Sequence, residues 1–219
     1  MKKYFEVLRK CSLFSGIADE DLIAILGCLR ARVEKFWKRD TVISEGEAAV
    51  SVGIVLSGSV RIVQDDYYGN RSIVSQLLPS ELFGESFACA GIRSMPVSII
   101  ANDNCEIMFI DCERILHSCS NACSFHRQLI FNLMKDLASK NIAFHQKIEV
   151  TSKRSTREKL MAYLLIQAKE TGRRSFDIPY DRQALADYLG VERSGLSAEI
   201  SKMKREGILK SEKNRFELL

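Results

Sequence analysis

The chain has 219 residues, 46% hydrophobic and 27% charged, with three prolines and twelve glycines. That composition excludes a disordered or collagen-like chain and leaves no room for a long flexible linker. At roughly one and a half times the usual domain length, one large or two small domains are expected. The net charge of +4 is unevenly placed: residues 150–219 hold 15 Lys/Arg against 10 Asp/Glu, and residues 1–149 hold 17 against 18. The basic excess therefore lies in the last third, as in a nucleic-acid-binding end joined to a neutral end with another task.

The opening Met1-Lys2-Lys3-Tyr4-Phe5-Glu6 has basic residues, but Glu6, Arg9 and Lys10 interrupt any signal-peptide core. No apolar run approaches the roughly 18 residues of a membrane span. A soluble cytoplasmic protein with no membrane partner is expected. The seven cysteines, at positions 11, 28, 89, 105, 112, 119 and 123, form no CxxC and no zinc-finger spacing with histidine. Reduced, buried thiols and no metal site are expected. Cys112, Cys119 and Cys123 are the closest set, with the last two one helical turn apart.

In chain order, Asp19 to about Cys28 reads as a short entry helix, apolar at Leu22, Ile23, Ile25 and Leu26. Short strands follow at Val33–Phe36, Val52–Leu56, Val60–Val63, Ile73–Leu77, Val97–Ala101 and Cys105–Ile110, with turns at Glu45-Gly46-Glu47, Ser57-Gly58-Ser59 and Gly69-Asn70. Alternation within these strands, at regular spacing, predicts a small barrel or roll.

From about Asn121 to Glu149 the period becomes helical, with neither Gly nor Pro. Ile130, Leu137 and Phe144 recur every seven residues, and Met134, Asn141 and Ile148 recur between them. That two-sided seam predicts a helix pairing with a second copy, Asn141 fixing its register. Leu129, Leu133 and Ile142 lie off the seam and suit packing on the roll. The histidines around this helix, His117, His126 and His145, read as solvated or seam residues, not haem ligands.

Residues 154–170 form an amphipathic helix, then Asp177–Tyr180 is extended. Asp181 caps a helix over Arg182–Leu189, Gly190 ends it, and a second helix runs from Arg193 to Arg205, apolar at Leu196, Ile200 and Met203. A hairpin turning at Lys213-Asn214 closes the chain. Helix, tight turn, helix and hairpin make a winged helix-turn-helix. No nucleophile elbow, P-loop or metal triad is present, so an enzyme is not expected.

Three motif groups now stand in order: Leu13-Phe14 with Asp19-Glu20-Asp21-Leu22; Gly46-Glu47, Gly58-Ser59-Val60 and Phe83-Gly84-Glu85; and Arg182-Gln183, Leu185-Ala186, Leu189-Gly190-Val191 and Arg193-Ser194. Carrying them, residues 11–219 resemble the family of the cyclic-AMP receptor protein and the fumarate-nitrate regulator, the CRP/FNR family. The resemblance implies an α+β chain with a double-stranded β-roll that senses an effector (1–120), a dimerisation helix (121–149) and a DNA-binding winged helix (150–219). It implies a homodimeric, sequence-specific transcription regulator whose partners are double-stranded DNA, a second copy of itself and RNA polymerase.

The resemblance places an effector pocket at Gly84, Glu85, Ser86, Phe87, Met95, Pro96, Asn141 and Ile142. In members that bind cyclic AMP, an Arg-Ser or Arg-Thr pair ten residues after the Glu holds the cyclic phosphate. Here that position is Met95-Pro96, and Pro96 has no amide to donate. Arg93-Ser94 falls two residues early. Met95, Phe87, Cys89 and Ile142 make the pocket more apolar, so a small-molecule effector other than cyclic AMP is expected. The alternative is a constitutive or redox-sensing DNA-binding dimer without such a ligand. The oxygen-sensing branch's closely spaced N-terminal cysteines are missing, since only Cys11 and Cys28 lie there, so no iron–sulfur cofactor is expected. For DNA, Arg193 is the candidate for a bidentate guanine contact or a phosphate contact, Ser194 and Ser197 for base edges or phosphate, and Lys202, Arg182 and Gln183 for phosphates.

Overall fold

In a computed structural model, residues 2–65, 67–68, 71–116 and 124–219 are described. They form two units, Met1–Ala138 and Ser139–Leu219. The first begins with α1 (Phe5–Lys10) and α2 (Asp19–Cys28), the latter with Asp19, Glu20 and Asp21 in its first turn, where carboxylates meet the positive end of the helix. Eight strands follow: β1 (Arg32–Phe36), β2 (Thr41–Ile43), β3 (Ser51–Ser57), β4 (Val60–Asp65), β5 (Arg71–Leu77), β6 (Leu82–Phe83), β7 (Ser98–Ala101) and β8 (Cys105–Asp111). Two short helices, α3 (Glu85–Cys89) and α4 (Cys112–Leu116), flank the last two strands.

The strands make two antiparallel four-stranded sheets, ordered β1-β8-β3-β6 and β2-β7-β4-β5. Between them lies a core of Val55, Val60, Phe83, Met95, Ile99, Ile107 and Phe109. The other face of the first sheet packs Val52, Ile54, Leu56, Met108 and Ile110 against Leu8, Leu22, Ile25, Leu26 and Leu129 from the helices. β3 is therefore buried on both faces, and the alternation read from Val52–Leu56 is not realised as an apolar and a wet face. Gly53 sits where β3 crosses Phe83: a Cβ there would come within 2.1 Å of the ring. Gly58, at φ +72°, turns β3 into β4.

The long helix α5 spans Ser124–Thr151, about 42 Å at 1.5 Å per residue, and contributes to both units. In the first unit His126, Leu129, Asn132 and Leu133 are buried. Asn132 donates to the carbonyls of Leu13 (2.9 Å) and Ser15 (2.7 Å) and accepts from Gln128 (2.9 Å). A buried amide so satisfied holds the helix in one register against the entry turn.

In the second unit, α6 (Thr156–Thr171) starts with a capping box: Ser155 accepts from the Glu158 amide while the Glu158 carboxylate accepts from the Ser155 amide. β9 (Ser175–Asp177), α7 (Arg182–Leu189), α8 (Arg193–Arg205), β10 (Leu209–Glu212) and β11 (Arg215–Leu218) complete it. The three strands pair in the order β10-β11-β9. Val150, Leu160, Leu164, Leu185, Leu189, Leu196, Ile200, Met203 and Phe216 form its core. No helix among the described residues is long and apolar enough to cross a membrane.

Candidate nucleic-acid interface and effector pocket

Local chemistry sets the helix-turn-helix. Asp181 accepts from the Ala184 amide (2.8 Å) and so caps α7. Gly190, at φ +62°, ends it in the left-handed conformation. Leu196, Ile200 and Met203 recur at three- and four-residue spacing and face the core. The opposite face of α8 is exposed, and on it Ser194 and Ser197 are joined by Ser201 and Arg205, with Arg193 exposed at the first residue of the helix. Ser201 and Arg205 were not read from sequence as contacts, although their spacing from Ser197 was the available signal. Lys202 is exposed at the edge of this face.

Two cross-element contacts orient α8. Arg157 of α6 pairs with Glu199 of α8 (3.6 Å) and with Glu206 just beyond it. The Arg157 cation holds the Glu206 carboxyl below its ordinary range. Lys204 donates to the Ser211 carbonyl of the hairpin (3.1 Å). The hairpin is a wing closed by Lys213 at φ +50°, with Asn214 donating to the Ile178 carbonyl (3.2 Å). Lys213 at this tip is a further exposed cation that the sequence reading did not single out as a contact.

Arg182 and Gln183 have local roles. The Arg182 guanidinium donates to Ser211 Oγ (3.5 Å) and the Lys213 carbonyl (3.3 Å), and Gln183 donates to Asp187 (2.8 Å). Burial, then the neighbouring Arg193 cation, lowers the pKa of Arg182. Arg182 thus joins α7 to the wing, and its charge adds to the positive field beside Arg193.

On α5, Met134, Phe144 and Ile148 are 65%, 65% and 62% exposed, and Asn141 is exposed with them. Ile130 and Leu137 are half-buried, Leu137 packing on the first unit's core. Phe131 and Ile142 are exposed as well, so Ile142 does not pack as its off-seam position suggested. His126 differs from the expected solvated histidine: it is buried, with Nε2 4.0 Å from Cys28 Sγ. His117, Cys119 and Cys123 lie outside the described residues.

The expected pocket residues of the first unit fall in several settings. Gly84, at φ +79°, precedes α3, and Glu85 is buried at its first position. Ser86 and Pro96 are exposed, and Phe87 packs on the inter-sheet core. Met95 is 1% exposed within that core, where its amide donates to the Glu47 carbonyl (2.8 Å) and its carbonyl accepts from the Gly46 amide (2.9 Å). Asn141 and Ile142 belong to the second unit and are exposed there. Gly84 and Met95 line a cavity of about 260 Å³ with Glu47, Ala49 and Phe109. A second cavity of about 450 Å³ is lined by Val50, Ala88, Ile92, Arg93, Asp111 and Cys112. Arg93 lines the second cavity and Met95 the first, and the two share Ala48, Ala49 and Val50 in their linings.

Comparisons agree with this architecture. The model of the cyclic nucleotide-binding domain matches residues 33–121, and that of the Crp-like helix-turn-helix domain matches residues 158–219. The transcriptional activator protein FnrL of Cereibacter sphaeroides is 24% identical over 184 residues, covering 80% of this chain and 71% of that protein. FnrA of Stutzerimonas stutzeri is 24% identical over 83% of this chain and 74% of its own. The human cGMP-dependent protein kinase 2 is 27% identical over 94% of this chain, which spans only 27% of that protein. Among solved structures, the Thermus thermophilus catabolite activator protein is similar at TM-score 0.51 and 21% identity, over 95% of this chain and 93% of that one. CprK is similar at TM-score 0.63 and 14% identity, over 91% and 89%. With both domain models matched in order and the capped helix-turn-helix and wing in place, the chain belongs to the CRP/FNR family of transcription regulators, its DNA-binding domain the helix-turn-helix at its C-terminal end.

Proposed function

We propose that the chain works as a homodimer on near-palindromic double-stranded DNA, gated by a small-molecule effector other than cyclic AMP, with RNA polymerase as the partner it meets there. The observation that carries the dimer is the exposed apolar stripe of Met134, Phe144 and Ile148 on α5, since large apolar side chains in a row mark a contact surface. A two-fold protein presents two copies of α8, so the half-sites lie about 34 Å apart, one turn of DNA.

The effector reading rests on Met95 and Pro96. A cyclic phosphate needs a guanidinium fork and amide donors. The position ten residues after Glu85 instead holds a core methionine and a proline. An unpaired anion there costs several kcal/mol, as an order of magnitude. Calorimetry with cyclic AMP, beside a thermal-shift screen of metabolites, tests this. No heat with cyclic AMP and a stabilising hit elsewhere support the reading; micromolar cyclic AMP binding overturns it. Silence across the whole screen favours the constitutive dimer.

A further inference from the structure

Cys89, the last residue of α3, and Cys112, the first of α4, bring their sulfurs to 3.4 Å across 23 residues of sequence. Cys89 is half-buried and Cys112 buried. Cys112 also lines the 450 Å³ cavity beside Ala88 and Ile92, a route for a small oxidant. A disulfide requires the sulfurs to close from this separation to about 2.05 Å.

We infer that Cys89 and Cys112 are a dithiol modification site that hydrogen peroxide converts to a disulfide, fastening α3 to α4. This goes beyond the DNA-binding reading and does not depend on it. Burial, then the hydrogen bond to Cys89, pushes the Cys112 thiol up to about 12. Cys89, the less buried of the two sulfurs and 3.4 Å from the one that lines the cavity, is the sulfur that attacks. The Cys89 thiolate attacks one peroxide oxygen and breaks the O–O bond. The departing oxygen takes a proton and leaves as water, and Cys89 becomes a sulfenic acid. The Cys112 sulfur then attacks the Cys89 sulfur. The sulfenic oxygen leaves with the Cys112 proton as a second water. Two thiols lose two electrons and one peroxide gains them, and a small dithiol reverses the step.

Of the other described thiols, Cys105 is buried between the sheets and pushed up to about 11 by burial. Cys11 is buried in the helix-covered core, and Cys28 is half-buried beside His126. The test uses the reduced full chain, treated with one equivalent of hydrogen peroxide, alkylated, digested without reductant and mapped by mass spectrometry. The expected product is a peptide pair linking Cys89 to Cys112, two hydrogens lighter than the separate thiols and resolved by dithiothreitol. In Cys112→Ser, dimedone should label Cys89 instead. Recovery of both cysteines as alkylated thiols, or a dominant link between any other pair, overturns the inference. The mapping on unaltered protein needs no variant to fold.

Discussion

The guanidinium of Arg182 lies over the ring of Phe216, 5.7 Å from its centroid. It is also the group that donates to the Lys213 carbonyl at the tip of the wing. One side chain at the start of α7 therefore ties the helix-turn-helix to the hairpin. Arg182→Ala should lower stability by about 1–3 kcal/mol, from the ring contact and the two hydrogen bonds to the wing lost together. Arg182→Lys should recover only part, because an ammonium lacks the planar fork. Urea unfolding of both variants measures this. A change within error for Arg182→Ala would mean that the side chain serves DNA alone.

The stripe on α5 makes a sharper oligomerisation test than the seven-residue repeat. Leu137 packs on its own unit, so charging it would perturb folding along with assembly. Met134→Glu with Phe144→Glu alters exposed positions only. The double variant should sediment as a monomer while keeping its helical circular dichroism. A double variant that still sediments as a dimer would remove this face from the interface.

Arg193 stands at the N-terminal end of α8 and Lys202 at the edge of its exposed face. Arg193→Ala should cost about 1–3 kcal/mol of DNA affinity and relax one base position if it reads guanine. Lys202→Ala should weaken all sequences alike and flatten the salt dependence. Fluorescence anisotropy on matched and single-mismatch duplexes at two salt concentrations separates them. Equal losses on every duplex for Arg193→Ala would make it a phosphate contact and leave Ser194 and Ser197 as readers.

The capping box of α6 gives a pH dependence. The Ser155 amide and hydroxyl both donate to the Glu158 carboxylate (3.0 Å each) and hold its pKa below the ordinary carboxylate value. A carboxyl depressed in the folded state stabilises fully above its unfolded pKa of about 4.3, and that contribution is lost as pH falls through the lower folded value. Glu158→Gln should therefore be less stable than the parent at pH 7. The two should converge once acid has protonated Glu158. Parallel thermal melts across pH check this, and a constant gap at all pH would assign the effect to packing.

Much of the second unit was legible from neighbouring residues alone. Asp181, Gly190 and the spacing of Leu196, Ile200 and Met203 bound α7 and α8 because caps and helical faces depend on groups within one or two turns. Along the seven-residue repeat of α5, Met134, Asn141, Phe144 and Ile148 are exposed while Ile130 and Leu137 are half-buried. Tertiary structure decided what depends on groups far apart in the chain. It buried β3 on both faces, because helices cover a sheet that a strand pattern reads as half-wet. It made Met95 a core side chain by pairing its backbone with Gly46-Glu47, so a motif position became packing. It turned Arg182 from a surface cation into a tie between α7 and the wing. It also placed Cys112 against Cys89, 23 residues away in the chain. Contacts of that kind follow from how the sheets and helices stack, which no local pattern of residues encodes.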